Sequence, residues 1–313
     1  MSTSTAIPSA TTTSPSAAET AAAARRRRRH VPGNRRSNLL TAMMWLCGLY
    51  FALPLVWLLI ASTKDNSDLF SSFGLWFGNR FSLWENLESV FTAQNGIFVK
   101  WAVNTVLYAG VSAIGASLLA TMAGYAFAKY DFPGGKALFS VILGAIMIPL
   151  TALAIPTYLL FSGAGLTNTP WAVILPSLVS PFGVFLMRVY AADAIPDSII
   201  EAARIDGAGE ARIFWQVSIK LLGPGIVTVF LFALVATWNN YFLPLIMLSS
   251  SELYPLTVGL AQQQSASAAG GGAQALFSTV LTGSLVSIIP LIVAFLFLQR
   301  FWQSGLATGG VKE

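Results

Sequence analysis

Two long stretches of this chain carry no charge, and a charged island lies between them. From Ala137 to Met187 and from Leu221 to Ser251 there is no Asp, Glu, Lys or Arg, whereas Arg188–Pro224 holds nine. An apolar run of about 20 residues can cross a bilayer as a helix, and a charge at the centre of such a helix costs roughly 2.5–3.5 kcal/mol. The island must therefore face water or another protein. Six segments have the length and apolarity to span: Leu39–Ala61, Trp101–Ala128, Ala137–Phe161, Trp171–Met187, Ile226–Leu248 and Ala275–Leu298. Pro149, Pro156, Pro176, Pro181, Pro244 and Pro290 fall inside them. A proline within a span kinks it and frees backbone carbonyls, which is tolerated where neighbouring helices or water satisfy them. The pattern predicts an all-α, polytopic bundle around a path.

Basic residues orient the bundle. With the amino terminus inside, 15 of the 18 Lys and Arg fall in the tail and the inner segments; only Lys64, Arg80 and Lys100 fall outside. Such an excess marks the cytoplasmic side. Both termini and the Arg188–Pro224 island are placed there. Residues 1–36 are rich in Ser, Thr, Ala and Pro and end in Arg25–Arg29, Arg35 and Arg36. This tail is expected to be disordered, and its arginines to act as a topology anchor rather than a lipid or nucleic-acid patch.

Composition agrees: 55% of the chain is hydrophobic and 10% charged, against about 25% charged in a soluble domain. One cysteine, Cys47, and one histidine, His30, offer no disulfide framework and no metal site. Ser112, Ala116, Ala120, Gly124 and Ala128 recur every four residues in the second span. That smooth stripe fits either a subunit or gate interface or packing inside the chain. The outer segment Ser249–Gln274 is rich in Ser, Gln, Ala and Gly and is expected to be a flexible loop.

The island has an internal order. Pro196 ends the preceding segment, and Ser198 with Glu201 has the spacing of a capping box, which predicts a short helix starting at Ser198. Asp206-Gly207 breaks it, and Ala208–Lys220 leads back to Pro224. Ile199, Ile200, Ala202, Ala203 and Ile205 are the candidate contacts of a surface helix-turn-helix suited to a partner's groove.

These residues resemble a known family. Glu201-Ala202-Ala203, Asp206-Gly207-Ala208, Phe214, Val217 and Pro224 look like the EAA loop of ABC-importer permeases. GYAFAKYDFPG at 124–134, GLTNTPWAVIL at 165–175, PFGVFLMR at 181–188, WNNYFLPL at 238–245 and QRFWQSGLATGGVK at 299–312 extend the resemblance to carbohydrate-uptake permeases of the maltose-permease-G type. Lys220 stands where the family usually has proline, which implies a less kinked exit from the loop. The resemblance implies a type I importer permease fold with six helices spanning residues 37–313. It implies a second permease subunit forming a heterodimer, two cytoplasmic ATPase subunits and an extracellular sugar-binding protein, in a bacterial inner membrane. It also implies that 188–224 is the coupling loop, with Glu201, Ala202, Ala203, Asp206, Gly207 and Ala208 meeting the ATPase; Glu201 would pair with a basic group there.

The residues themselves point away from an enzyme or a motor. Gly134-Gly135-Lys136-Ala137 lacks the first glycine and the hydroxyl of a phosphate-binding loop. This chain is expected to bind no cofactor, with ATP used by the partner subunits. The spans hold no carboxylate for a proton or sodium relay, which disfavours a proton-coupled carrier. The alternative is a permease for another solute, such as glycerol phosphate or a polyamine; an anionic solute would want cationic groups along the path and the spans offer none, so a neutral sugar fits better. Trp238, Asn239, Asn240 and Tyr241 combine aromatic faces with amides, as a polyol needs. Asn104 is a weaker candidate. Bonding between helices by the Asn residues is the competing explanation.

Overall fold

The computed structural model describes residues 37–149, 151–269 and 277–308, the last of these as backbone alone from 300. The basic tail 1–36 and part of the outer segment lie outside the described residues. Among those described, the secondary structure is helical throughout. The chain divides into Met1–Pro54 and Leu55–Glu313.

In chain order the helices are α1 Asn38–Ser62, α2 Asn66–Ser71, α3 Leu83–Lys129, α4 Gly135–Ile146, α5 Ala154–Gly163, α6 Trp171–Ser177, α7 Pro181–Ala194 and α8 Asp197–Ile205. They continue with α9 Glu210–Leu221, α10 Gly223–Trp238, α11 Phe242–Met247, α12 Leu256–Ala268 and α13 Phe277–Thr308. Among the described residues four spans are long and apolar enough to cross a membrane: α1, α3, the α6–α7 stretch Trp171–Ala194, and Phe277–Gln299 of α13. The pair α9–α10, bent by 79°, supplies a fifth. Six crossings remain compatible with this architecture, through α4 and α5.

The third expected segment, Ala137–Phe161, is not one helix. It is α4, of 12 residues, and α5, of 10, separated by a turn at Pro149. Proline lacks the N–H that would continue α4, and it disfavours helical geometry in the residue before it. Pro156 is tolerated because it sits in the first turn of α5, where an N–H has no partner to lose. The fifth expected segment is likewise interrupted: α10 ends at Trp238 and α11 begins at Phe242. The exit from the island is also sharper than Lys220 suggested. The chain turns by 79° at Leu222, which is fully buried, and Pro224 stands just inside α10. The bend thus needs no proline at 220.

The small-residue stripe packs inside the chain. Ser112, Ala116 and Ala120 are at most 2% exposed, and a Cβ placed on Gly183 of α7 would come within 3.1 Å of Ala120. Two apolar clusters result. One gathers Trp101, Tyr108, Trp238, Leu256 and Val258; the other gathers Tyr125, Met187, Ile195, Ile200, Ile213 and Phe214. The basic-residue asymmetry places the second cluster at the cytoplasmic end.

The outer segment expected as a loop contains α12, thirteen residues long. Its Leu256 N–H donates to Thr105 Oγ1 at 2.8 Å, and Trp101 Nε1 donates to Ser251 O at 2.8 Å. Its Gln, Ser and Ala residues looked like a linker, but Val258, Gly259 and Leu260 give it a buried face against α3.

Candidate functional site

The island forms a short surface helix, α8, fixed at both ends. Its start differs from the expected capping box. Pro196, with extended φ −62 and ψ 136, occupies the N-cap position without a side-chain bond, and the helix begins at Asp197. Ser198 is therefore already inside. Proline is suited to a helix entry because it has no N–H to satisfy, while the Asp197 carboxylate complements the positive helix end. The break at Asp206-Gly207 is as expected. Gly207 has φ +79, and its N–H donates to Arg204 O while Ala208 N–H donates to Ala203 O, each at 3.0 Å. This pair of bonds is a Schellman ending, which needs a left-handed residue and so favours glycine.

The candidate contact residues separate onto two faces. Ile200 is buried in the chain's own core, and Ala203 and Ala208 are half-buried against it. Ile200 thus faces inward, while Ala203 and Ala208 are only partly turned toward the same core. Outward lie Ile199, Glu201, Ala202, Ile205 and Asp206; Ile205 is 86% exposed. Among the described residues, the Glu201 side chain makes no hydrogen bond or ion pair. The outer surface thus carries an apolar Ile199–Ala202–Ile205 stripe flanked by Glu201 and Asp206.

Two neighbours at the inner end of α3 hold this helix. Lys129 Nζ donates to Ile195 O and pairs with Asp197 Oδ1 at 2.8 Å. Tyr130 OH donates to Glu210 Oε2 at 2.6 Å, and Arg204 Nε donates to Glu210 Oε1 at 2.7 Å. Burial first, and then the bond to Glu210, pushes the Tyr130 hydroxyl pKa upward. The bond from Arg204, followed by that from Tyr130, holds the Glu210 carboxyl below the usual range. In the sequence Lys129 and Tyr130 stood out only as part of the charge count and of the GYAFAKYDFPG stretch, and Glu210 not at all. Their partners lie 66 to 80 residues away, and no local spacing announces such pairs.

A cavity of about 310 Å³ opens among α10, α12 and α13. Trp238, Asn239 and Tyr241 line it with Thr257 and Gln264 of α12 and Ser284 of α13. Among the described residues its lining contains no charged side chain. The volume lies at the small end of the range for ligand sites, about 300–1,000 Å³. Asn240 and Asn104 do not line it. Asn240 Oδ1 accepts from Leu243 N at the start of α11, and its carbonyl accepts from Thr257 Oγ1. Asn104 Nδ2 donates to Glu252 O and Tyr254 O, tying α3 to the chain before α12. Asn239 Nδ2 donates within its own helix to Val235 O. Among the described residues no three His, Cys, Asp or Glu side chains gather as a metal site would require.

Comparison with known proteins gives a consistent answer. Residues 116–303 match the family model described as binding-protein-dependent transport system inner membrane component. The arabinooligosaccharides transport system permease protein AraQ of Halalkalibacterium halodurans is 33% identical over 278 residues, covering 86% of this chain and 97% of that one. The lactose transport system permease protein LacG of Rhizobium radiobacter is 30% identical, covering 83% and 90%. Among solved structures, a chain of a bacterial ABC transporter importing the acidic polysaccharide alginate matches with a TM-score of 0.73 at 22% identity, covering 87% and 99%.

Proposed function

The chain belongs to the family of binding-protein-dependent transport system inner membrane components, and we propose that it forms half of the translocation path of a bacterial importer of neutral sugars. It is a multi-pass permease subunit of an ABC importer. The sugar reading is supported by the relatives that carry arabinooligosaccharides and lactose in their names, and by the uncharged cavity. Tyr241 and the largely buried Trp238 contribute aromatic lining, and Gln264, Asn239 and Thr257 contribute polar groups that suit hydroxyls. The lining offers an anionic solute no cation. Its partners would be a second permease subunit, two ATPase subunits that use ATP, and an external sugar-binding protein. This chain would bind no cofactor and catalyse no covalent step.

The observation that carries the mechanism is the outer surface of α8: a Glu201 side chain without a partner among the described residues, beside an exposed Ile199–Ala202–Ile205 stripe, on a helix seated in the chain's core. Such a surface suits a groove in a partner. ATP-driven closure of the two ATPase subunits would draw the two coupling helices together, and the rigid movement would turn the spans and open the path outward. The experiment is Glu201→Ala combined with Gly207→Val in the complex purified from the native membrane. Loss of ATPase association and of sugar uptake is expected; survival of both would overturn the coupling role.

A further inference from the structure

We propose that Lys129 and Tyr130 are positioning residues that lock both ends of the coupling helix α8 to the inner end of α3, making α3 the lever that carries α8's motion to the cavity. The inference rests on the coupling reading above and adds the route by which the motion leaves α8.

Lys129 holds the front end. Its side chain is only 6% exposed, so the ammonium has given up most of its water. It recovers partners at the Ile195 carbonyl and at Asp197. A buried cation tolerates the loss of such partners badly, so the end of α7 and the start of α8 cannot drift from α3 independently. Tyr130 holds the rear end. Glu210 accepts from both Arg204, in the last turn of α8, and Tyr130. Ile200 seats the helix centre in the core between them. Ser198, Glu201 and Asp206 make no side-chain hydrogen bonds among the described residues, so the two ends and this apolar seat are what fixes α8.

Beyond the clamp, α3 transmits without slack. A Cβ on Gly124 would stand 2.7 Å from Arg188 N on α7, and one on Gly259 of α12 would stand 2.3 Å from the Trp101 ring. Backbones and rings in such contact move together, because packed interiors are not compressible on that scale. From Lys129 to Trp101 the helix covers about 40 Å at 1.5 Å per residue. Gly259 and Gln264 belong to the same helix, and Gln264 lines the cavity.

The test uses the assembled complex in lipid nanodiscs, with Cys47→Ser and a reporter Gln264→Cys labelled by a membrane-impermeant maleimide. Labelling rates are compared without nucleotide and with ATP plus vanadate. The parent should show a ratio of at least about five between the two states, within the usual span of allosteric coupling. Lys129→Met should bring the ratio to about one and Tyr130→Phe should lower it by at least about twofold, while ATP hydrolysis continues; Lys129→Arg should keep the parental ratio. Tyr130→Phe removes one hydroxyl and keeps the ring, so it decides the matter even where Lys129→Met fails to assemble. If the parent responds and Tyr130→Phe responds equally, the clamp is wrong and the coupling surface stands. If the parent carries the ATPase but never responds, the coupling reading falls and the clamp with it.

Discussion

Gly124 of α3 and Met187 of α7 meet with no space for a side chain: a Cβ on Gly124 would lie 2.5 Å from the Met187 Cβ. Arg188 N lies 2.7 Å from the same point, so the obstacle is backbone and cannot swing away. Gly124→Val is expected to destabilise the protein by about 1–3 kcal/mol through overpacking. Gly110 on the same helix has nothing within 4 Å of its own Cβ position, so Gly110→Ala should be neutral or mildly stabilising. Thermal unfolding of the two purified variants checks the contrast; equal midpoints would contradict it.

Gly259 gives a second, independent contact of this kind. Its Cβ position lies 2.3 Å from Trp101, whose indole is 2% exposed and hydrogen-bonded to Ser251 O. Gly259→Leu should push α12 off α3 and deform the cavity lined by Thr257 and Gln264. Sugar uptake should fall at least about tenfold, the change that corresponds to roughly 1.4 kcal/mol, while the ATPase still co-purifies. Uptake at the parental rate would show that α12 does not shape the path.

At Gly207 the constraint is backbone conformation alone, since open space surrounds it. With φ +79, a β-branched residue is strained by about 1–2 kcal/mol, whereas Asn tolerates the left-handed region. Gly207→Val should weaken ATPase association, and Gly207→Asn should largely keep it. Co-purification of the ATPase with each variant reads this directly. Equal losses would mean that the glycine is needed for reasons other than its φ.

The Glu210 bridge gives a pH signature. Its carboxyl is held below the ordinary range by Arg204 and Tyr130. A depressed carboxylate stabilises the fold above its unfolded pKa, about 4.3, and that stabilisation is lost as pH falls through the depressed value. Glu210→Gln should therefore lower the unfolding midpoint slightly at pH 7, by about 1–2 °C for a solvent-screened pair. The difference should vanish in acid below the depressed pKa. A gap that widens in acid would contradict the assignment.

For the cavity, Gln264→Leu keeps bulk and removes the amide. Its side chain makes no hydrogen bond among the described residues, so stability should change little, while half-saturation for the transported sugar should rise about tenfold. Uptake by whole cells across a concentration series measures it. An unchanged half-saturation would place sugar recognition on another surface.

The sequence by itself determined which stretches can lie in lipid and which cannot. Charge-free runs cannot be solvated surface and a nine-charge island cannot be membrane, so the helical bundle was legible, as was the break at Gly207. The tertiary structure decided which face of each element is used. Ala203 and Ala202 are adjacent and chemically identical, yet one packs on the chain's core and the other faces out, because helix rotation is set by Ile200 and the partners of α8's ends. Asn240 and Asn104 share the polarity of Asn239, and all three bond backbone groups, yet only Asn239 lines the cavity. Lys129 and Tyr130 meet Asp197 and Glu210 across 68 and 80 residues. Local periodicity reports solvation along the chain; it contains no term for which distant segments pack together, and that packing aims each side chain.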